Sequence, residues 1–205
     1  MMKKTMRVAG LTGGMASGKT LVLQQFMKLG AYVIDCDVLS REAVIPCSMA
    51  WWEIVRCFGT EIVRHDLELD RKRLRDLIFN DAEKRVTLEK IVHPVVNRKM
   101  RERIAAIAAL TATHHTLVVV DVPLLIETGV QHEFDAVVVV YCSEETQIQR
   151  ISDREGVTRA EARKMIALQL PLTEKLPFAD YVITNEGTRE ETENQVRAIF
   201  AELSP

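Results

Sequence analysis

Eight residues near the N-terminus have the types and spacing of a loop that binds phosphate groups. Gly13-Gly14-Met15-Ala16-Ser17-Gly18-Lys19-Thr20 matches the pattern G-x-x-x-x-G-K-[ST] in full. Its glycines allow backbone N–H groups to converge on phosphate oxygens at the start of a helix. Lys19 is expected to reach the β- and γ-phosphates, and the Thr20 hydroxyl is expected to ligate Mg²⁺. The motif predicts a nucleoside triphosphate as ligand and leaves open which acceptor, if any, receives a phosphoryl group.

Three aspartates follow apolar runs, where the carboxyl ends of parallel strands would place them. Asp35 and Asp37 end the run that begins at Ala31, and Asp121 ends a run of valines. An aspartate at this place, in a chain with a phosphate-binding loop, is a candidate Mg²⁺ ligand, which predicts that role for Asp121. Asp35 or Asp37 could contact a ligand at this edge, but either could equally be a turn residue that caps the next helix.

A further set of candidates is four arginines: Arg150, Arg154, Arg159 and Arg163. On a mobile lid, arginines would neutralise charge during phosphoryl transfer and help to exclude water. The alternative, that they are solvated arginines on helix surfaces, stays open. His93, directly before Pro94, is by its chemistry alone more often a capping or packing residue than a ligand-binding one.

These residues need a sheet to position them, and five apolar runs are candidate strands. The runs are Arg7–Leu11, Ala31–Asp35, Thr116–Leu125, Asp135–Cys142 and Tyr181–Thr184. Three are nearly continuous in Val, Ile and Leu, which is typical of parallel strands covered on both faces. Helical segments alternate with the runs. The sequence therefore predicts an α/β fold with a five-stranded parallel sheet flanked by helices.

Capping residues indicate where several helices begin and end. Leu21–Leu29 reads as a helix stopped by Gly30. Three pairs resemble capping boxes: Asn80 with Glu83, Thr158 with Glu161, and Thr188 with Glu191. The first opens a long helical stretch that is expected to be interrupted at His93-Pro94, because proline disfavours helical geometry in the residue before it.

The chain is expected to be one domain, residues 1–205, with two helical excursions from the sheet. Leu39 to about Ala109 is far longer than a simple crossover and predicts a helical insertion. Residues 144–175 form a second, smaller one. Arg64–Arg103 contains 12 Lys/Arg against 8 Asp/Glu. This basic excess is either a solvated helix face or a surface that faces an anionic substrate.

Composition and charge exclude several classes of function. A net charge of −2 argues against bulk binding to nucleic acid. The most apolar run, Leu117–Val130, is too short and too charged to span a membrane. None of the four cysteines has zinc-site spacing, and free thiols fit a reducing compartment. With no signal-peptide pattern, we expect a cytoplasmic protein with small-molecule substrates, and the oligomeric state is not predicted.

With these residues in view, the chain resembles the dephospho-CoA kinase family over about Val8–Leu203. The matching segments are Gly10-Leu11-Thr12-Gly13-Gly14 with the loop that follows, Val33-Ile34-Asp35-Cys36-Asp37, Arg41-Glu42, Phe58-Gly59, Leu74-Arg75, Ile78-Phe79, His93-Pro94, Asp121-Val122-Pro123-Leu124-Leu125-Ile126-Glu127, the residues Gln147, Arg150, Arg154 and Gln169, and Ala179-Asp180-Tyr181-Val182-Ile183-Thr184-Asn185. Pro-Leu-Leu-x-Glu after the third strand, combined with Asp-x-Asp after the second, is much more specific than the loop alone.

The resemblance implies a P-loop kinase that transfers the γ-phosphate of ATP to the 3′-hydroxyl of the dephospho-CoA ribose, the last step of coenzyme A biosynthesis. It implies that the insertion at about 39–109 is the CoA subdomain and that residues 144–175 are the lid. The residue roles it implies are Asp37 as base, Arg41, His93, Pro123, Leu124 and Leu125 as contacts of dephospho-CoA, Arg150 and Arg154 as lid arginines, and Asn185 near the adenine.

The chain departs from the family pattern at three positions. Met15-Ala16 stands where Ile-Gly is usual, and Ala16 is expected to be tolerated if its φ is negative. Cys36 replaces a small alanine, which could make the site oxidisable. Met165 stands where many members have arginine, which weakens a lid role for that position.

Two other functions stay open on the residues alone. One is a P-loop kinase for another small acceptor, such as a nucleotide or shikimate; only the acceptor subdomain discriminates. The other is a nucleotide switch whose output is partner binding. A GTPase should carry N-K-x-D, which this sequence lacks. The D-x-x-G match at Asp153–Gly156 lies inside the presumed lid, and we interpret it as coincidence.

Overall fold

Five strands form one parallel sheet in the order β2-β3-β1-β4-β5. The computed structural model describes residues 5–79, 81–111 and 114–204. The strands are β1 (Met6–Gly13), β2 (Tyr32–Asp35), β3 (Thr116–Asp121), β4 (Ala136–Tyr141) and β5 (Tyr181–Thr184). The predicted parallel α/β sheet is confirmed. The prediction that the third strand reaches Leu125 is wrong: it ends at Asp121, because Pro123 cannot donate to a strand ladder.

The described residues form nine α-helices and three short 3₁₀ turns. The helices are α1 (Lys19–Lys28), α2 (Cys36–Ala43), α3 (Met49–Phe58), α4 (Arg71–Phe79), α5 (Ala82–Leu110), α6 (Glu144–Glu155), α7 (Arg159–Ile166), α8 (Leu172–Lys175) and α9 (Arg189–Leu203). The capping boxes that open α7 and α9 are confirmed. Within the described ranges, no helix has both the length and the apolarity to cross a membrane.

The sheet is buried on both faces, which explains its continuous apolar strands. Along β4, Val138 and Val140 pack in a cluster with residues of α1 and α9. Val137 and Val139 pack in a different cluster that includes Leu125 and follows the other face. All four valines are buried. Packing on both faces fixes the carboxyl ends of the strands, where the phosphate-binding loop after β1 and the segment after β3 begin.

The chain folds into two compact units, one made by Met1–Asp35 with Ala106–Pro205 and the other by Cys36–Ala105. The second unit contains α2 to α4 and most of α5. Its own core is an apolar cluster made by Trp51, Ile54, Phe58, Ile62, Leu69 and Leu74. Inside this unit Glu42 of α2 lies 3.6 Å from the ammonium of Lys99 and 3.3 Å from the guanidinium of Arg103, which ties α2 to α5.

Helix α5 corrects the prediction that Pro94 interrupts the helical stretch. The helix runs for 29 residues with Pro94 inside it. Proline removes one backbone hydrogen bond, but its φ is itself helical, so packing on both sides can carry the helix through. The buried Val96 and Met100 supply such packing after Pro94. At the N-terminus, the Asp81 carboxylate accepts a hydrogen bond from the Lys84 N–H; the predicted cap, Asn80, lies outside the described residues.

Candidate active site

The phosphate-binding loop connects the central strand β1 to α1. The strand ends at Gly13 and the helix begins at Lys19. Gly18 adopts φ +95, in the left-handed region where side chains are strained. A Cβ at Gly18 would also collide with the side-chain nitrogen of Asn185. Glycine is therefore required here for both its conformation and its size, and the loop can turn directly into the helix N-terminus.

Ala16 does not meet the condition of a negative φ under which it was expected to be tolerated. Its φ is +57, so an L-residue occupies the left-handed conformation, at a position where the family pattern has glycine. The backbone on either side is held: the Ser17 N–H donates to the Gly14 carbonyl over 3.2 Å. The Ala16 carbonyl accepts from the Arg150 guanidinium at 3.2 Å. The surrounding contacts thus impose a conformation that alanine itself disfavours.

Two glutamines from elsewhere in the chain, one buried and one half-buried, form hydrogen bonds with the backbone of Met15 in the loop. The Met15 N–H donates to the side-chain oxygen of Gln169 at 3.0 Å. The Met15 carbonyl accepts from the side-chain nitrogen of Gln147 at 2.7 Å. Gln147 lies on α6, and Gln169 lies in the segment between α7 and α8. Both backbone polar groups of Met15 are thereby satisfied, which fixes this part of the loop.

The far end of the loop is held by Asn185 and Arg150. Asn185 donates from its side-chain nitrogen to the Ser17 carbonyl at 2.8 Å, and its side-chain oxygen accepts from the Thr192 hydroxyl at 3.0 Å. Arg150 also donates to the Asn185 carbonyl at 2.8 Å. Arg150 therefore lies at the loop. Its contacts are with carbonyls of the loop and of the segment after β5. The adenine contact of Asn185 stays a prediction.

Lys19 and Thr20 lie where the loop enters α1. The Lys19 ammonium is 3.5 Å from the carbonyls of both Gly13 and Gly14, so the side chain folds back over the loop. Thr20 is exposed. The Ser17 hydroxyl is buried and has no hydrogen-bond partner among the described residues. A buried hydroxyl in this position suits a loop that receives phosphate oxygens.

Asp121 lies at the carboxyl end of β3, in register with the strands on both sides. Its register partners are Leu11 of β1 and Asp35 of β2. Within the described ranges, no group of three or more His, Cys, Asp or Glu could hold a metal ion by itself. Mg²⁺ is usually held by one or two carboxylates together with substrate phosphates and waters. A threonine hydroxyl and one carboxylate, Thr20 and Asp121, are donors of the chemical types that Mg²⁺ accepts.

The segment after Asp121 is fastened through the carbonyl of Pro123. That oxygen accepts from the Thr12 hydroxyl and from the Lys175 ammonium, each at 3.1 Å. Leu124 is half-buried, whereas Leu125 is fully buried in the core. The Leu125 side chain therefore anchors the segment in the core, and only the Leu125 backbone could take part in the predicted acceptor contact.

The helical unit Cys36–Ala105 contains three further predicted residues. Asp37 is exposed in the first turn of α2, Arg41 is exposed in its last turn, and His93 is half-buried in α5. Arg41 lines a pocket of about 460 Å³ in this unit. The other lining residues are Arg71, Leu74, Arg75, Ile78 and Leu88. The lining of this arginine pocket thus combines three guanidinium groups, the side-chain type that binds anions, with three apolar side chains.

Two other arginines that the sequence singled out form ion pairs on the surface. Arg154 pairs with its neighbour Glu155 at 2.8 Å and is well exposed. Arg159 pairs with Glu145 of α6, and the guanidinium holds the pKa of that carboxylate below its usual value. Gly156, φ +67, caps α6, which explains the D-x-x-G match as a helix terminus. Of the two predicted lid arginines, the structure brings Arg150 to the loop and leaves Arg154 on the surface.

Several residues that shape the site were missed as functional candidates. Lys175, Thr12 and Thr192 act through side-chain hydrogen bonds to distant parts of the chain. Gln147 and Gln169 were identified only through the family resemblance. A signal was present for Gln147, which occupies the buried face of α6 beside Ile148 and Ile151. For Lys175 no local pattern indicates burial.

The fold is that of a P-loop kinase. It has the sheet order of that class and a phosphate-binding loop after the central strand, and side-chain hydrogen bonds hold that loop in place. A family profile described as dephospho-CoA kinase matches residues 7–191. A dephospho-CoA kinase of Syntrophotalea carbinolica is 45% identical over 98% of this chain and 93% of that protein. The chain belongs to the dephospho-CoA kinase family, as the resemblance predicted.

Two solved structures share the fold of this chain. A protein from Thermus thermophilus superposes with a TM-score of 0.80 at 31% identity, covering 98% of this chain and 100% of that one. A dephospho-CoA kinase from Campylobacter jejuni gives a TM-score of 0.64 at 22% identity over 98% of this chain and 99% of that one, which bears on the fold alone. As a member of this family, the chain is an ATP-dependent kinase.

Proposed function

We propose that this chain transfers the γ-phosphate of ATP to the 3′-hydroxyl of dephospho-CoA, with the residue roles given below. The observation that carries the proposal is the intact phosphate-binding loop, with Lys19 at the start of α1, in a chain of the dephospho-CoA kinase family. The loop N–H groups and Lys19 hold the β- and γ-phosphates. Arg150 and Asn185 hold the loop, and Asn185 adjoins the adenine site.

In the transfer step, Asp37 accepts the proton of the 3′-hydroxyl as that oxygen bonds to the γ-phosphorus. The bond between the γ-phosphorus and the oxygen bridging it to the β-phosphorus breaks, and ADP leaves. The exposure of Asp37 at the first turn of α2 supports this role, because an accessible carboxylate can meet a substrate hydroxyl. Lys19, with Arg154 on the closed lid, stabilises the charge that develops on the phosphoryl oxygens.

The residues proposed to contact the acceptor are those that match the family pattern in the helical unit and in the segment after β3. In the arginine pocket, Arg41, Arg71 and Arg75 have no ion-pair partner among the residues that the structure describes. Dephospho-CoA carries a pyrophosphate, which guanidinium groups bind well. His93 of the same unit, and Pro123 with Leu124 of the other, make further acceptor contacts, with the Leu125 backbone beside them.

Mg²⁺ is the proposed cofactor, held by the Thr20 hydroxyl and the Asp121 carboxylate, with the latter acting directly or through a bound water. When bound, it would neutralise negative charge on the phosphate oxygens of the nucleotide. We further propose a single kinase domain over 1–205 with a CoA subdomain at about 39–109 and a lid at about 144–175. Its partners are ATP and dephospho-CoA, with no role in binding nucleic acid or membranes, and it acts in the cytoplasm.

An acceptor panel tests the proposal against the runner-up, a P-loop kinase for another small acceptor. The purified chain is incubated with Mg-ATP and, separately, with dephospho-CoA, shikimate or a nucleoside monophosphate, and products are identified by mass. Phosphorylation of dephospho-CoA alone supports the proposal. Phosphorylation of a different acceptor, with dephospho-CoA unchanged, would replace the acceptor assignment while leaving the kinase fold and the loop chemistry intact.

A further inference from the structure

Lys175 is a lysine without any solvent exposure, beside the proposed active site. It ends the short helix α8, and its side chain is 0% exposed. Its ammonium lies 2.8 Å from one carboxylate oxygen of Glu127 and 3.1 Å from the other. Burial of an ammonium group is strongly unfavourable unless the group is paired and hydrogen-bonded. A lysine kept at such a position needs a reason beyond packing.

The contacts of Lys175 join three separate segments of the chain. The ammonium donates to the Pro123 carbonyl at 3.1 Å, and the same carbonyl accepts from Thr12 of β1, the residue before the phosphate-binding loop. Glu127, the partner of Lys175, also accepts from the Leu170 N–H at 3.0 Å, beside Gln169. The ion pair between buried Lys175 and Glu127 thus fastens both ends of the segment Pro123–Glu127, to the base of the loop and to the chain after α7.

Charge adds to this picture. Burial lowers the pKa of Lys175, the carboxylate of Glu127 opposes that shift, and the positive charge of Lys19 lowers it further. The two lysines therefore lie within electrostatic reach of each other. The Glu127 side chain is only 21% exposed, so solvent screens the pair weakly.

Stability alone is a poor reason to keep a buried ion pair. Replacing both partners of such a pair with apolar or neutral groups is often neutral or stabilising. What an ammonium provides and a methionine cannot is a hydrogen bond to the Pro123 carbonyl. That hydrogen bond fixes the backbone next to Asp121, at the place where the proposed acceptor contacts begin.

We infer that Lys175, paired with Glu127, is a positioning residue for the acceptor: it holds the segment Pro123–Leu125 in the conformation that binds dephospho-CoA. The inference rests on the proposed function, because the segment is taken to contact that acceptor. Lys175 touches neither substrate, and it acts through the Pro123 carbonyl.

The test compares three variants with a stability control. Lys175→Met removes the charge and the hydrogen bond at similar length. Lys175→Met combined with Glu127→Gln also removes the unpaired carboxylate. Lys175→Arg retains a donor and a charge. The control, Val196→Ala, lies in α9 and in the separate cluster with α1, and lowers stability without touching the pair. For each protein we measure the melting temperature, the KM values of both substrates, and the Kd of dephospho-CoA by calorimetry without ATP.

We expect the variants to weaken binding of dephospho-CoA and not of ATP. We also expect acceptor affinity and melting temperature to change independently of each other. Lys175→Met raises the KM and Kd of dephospho-CoA by about 10-fold or more, with the KM of ATP changed less than about 3-fold, since misplaced contacts cost binding locally. The double variant regains melting temperature but keeps the raised KM for dephospho-CoA. Lys175→Arg regains part of the acceptor affinity. Val196→Ala melts earlier with both KM values unchanged.

Two outcomes would overturn the inference. One is an unchanged acceptor affinity in Lys175→Met. The other is a recovery of acceptor affinity together with stability in the double variant, which would make the pair purely structural. Failure of the proposed function is separately visible, because the unmodified chain would then bind and phosphorylate no dephospho-CoA. If Lys175→Met does not fold, the double variant alone decides the question.

Discussion

Replacing Ala16 with glycine should stabilise the protein, although replacing alanine with glycine usually lowers the free energy of unfolding. Ala16 has φ +57, a left-handed conformation that costs an L-residue about 1–2 kcal/mol. Glycine removes that strain but costs about 0.5–1 kcal/mol in chain entropy. The net gain in the free energy of unfolding is therefore between about 0 and 1.5 kcal/mol, and its midpoint of about 0.75 kcal/mol is, for a chain of this size, a rise of about 1.5–3 °C in melting temperature.

The matched control is Ala198→Gly, at an exposed position inside α9. There glycine should lower the free energy of unfolding by about 1 kcal/mol relative to alanine. Both variants are compared with the unmodified protein by urea unfolding and by calorimetry. The Arg150 contact is to the Ala16 backbone carbonyl, so Ala16→Gly retains it and the KM of ATP should stay within about 2-fold. If Ala16→Gly destabilised the protein as much as Ala198→Gly, the conformation assigned to Ala16 would be wrong.

Three other predictions concern the site. Asp37→Asn should lower kcat by about 10²–10⁴-fold and leave ATP binding nearly unchanged; near-normal turnover would remove Asp37 from the base role. Arg150→Met should raise the KM of ATP by about 10-fold, because it removes two charge-assisted hydrogen bonds at the loop. Arg154→Met should instead lower kcat, by about 10²-fold, with little change in that KM; equal effects of the two on ATP binding would contradict the split. Burial raises the pKa of the Cys142 thiol to about 11. The reactive thiolate is therefore scarce below that pH, and alkylation at pH 8, followed by peptide mass, should modify exposed Cys57 long before Cys142. Comparable rates would argue against the burial of Cys142.

Local stereochemistry was readable from the sequence. The phosphate-binding loop followed from residue types at fixed spacing, and the capping boxes of α7 and α9 followed from Thr and Glu three positions apart. The continuous valines of β4 indicated a sheet covered on both faces. Pro123 also indicated that β3 ends before it, because proline is excluded from a central strand. The apolar residues continue past Pro123, and for that reason the strand was predicted too long.

Features set by distant contacts were not readable. The positive φ of Ala16 depends on hydrogen bonds that fix the loop from α6, which no local pattern shows. Pro94 looked like a helix break because its neighbours in sequence do not reveal the buried Val96 and Met100 that carry the helix onward. The burial of Lys175 depends on Glu127, which lies 48 residues away along the chain. Each case is one in which tertiary packing overrides a local preference.

The most direct test of the central claim follows the γ-phosphoryl group itself. ATP labelled at the γ-phosphate is incubated with the chain and Mg²⁺, with and without dephospho-CoA. The amount of ADP and the amount of labelled CoA are then both measured. The account predicts that ADP forms only when dephospho-CoA is present, in equal amount to CoA labelled at the 3′-oxygen, and that Lys19→Ala abolishes both. ADP formed at the same rate without the acceptor, or label on another oxygen of the acceptor, would contradict it.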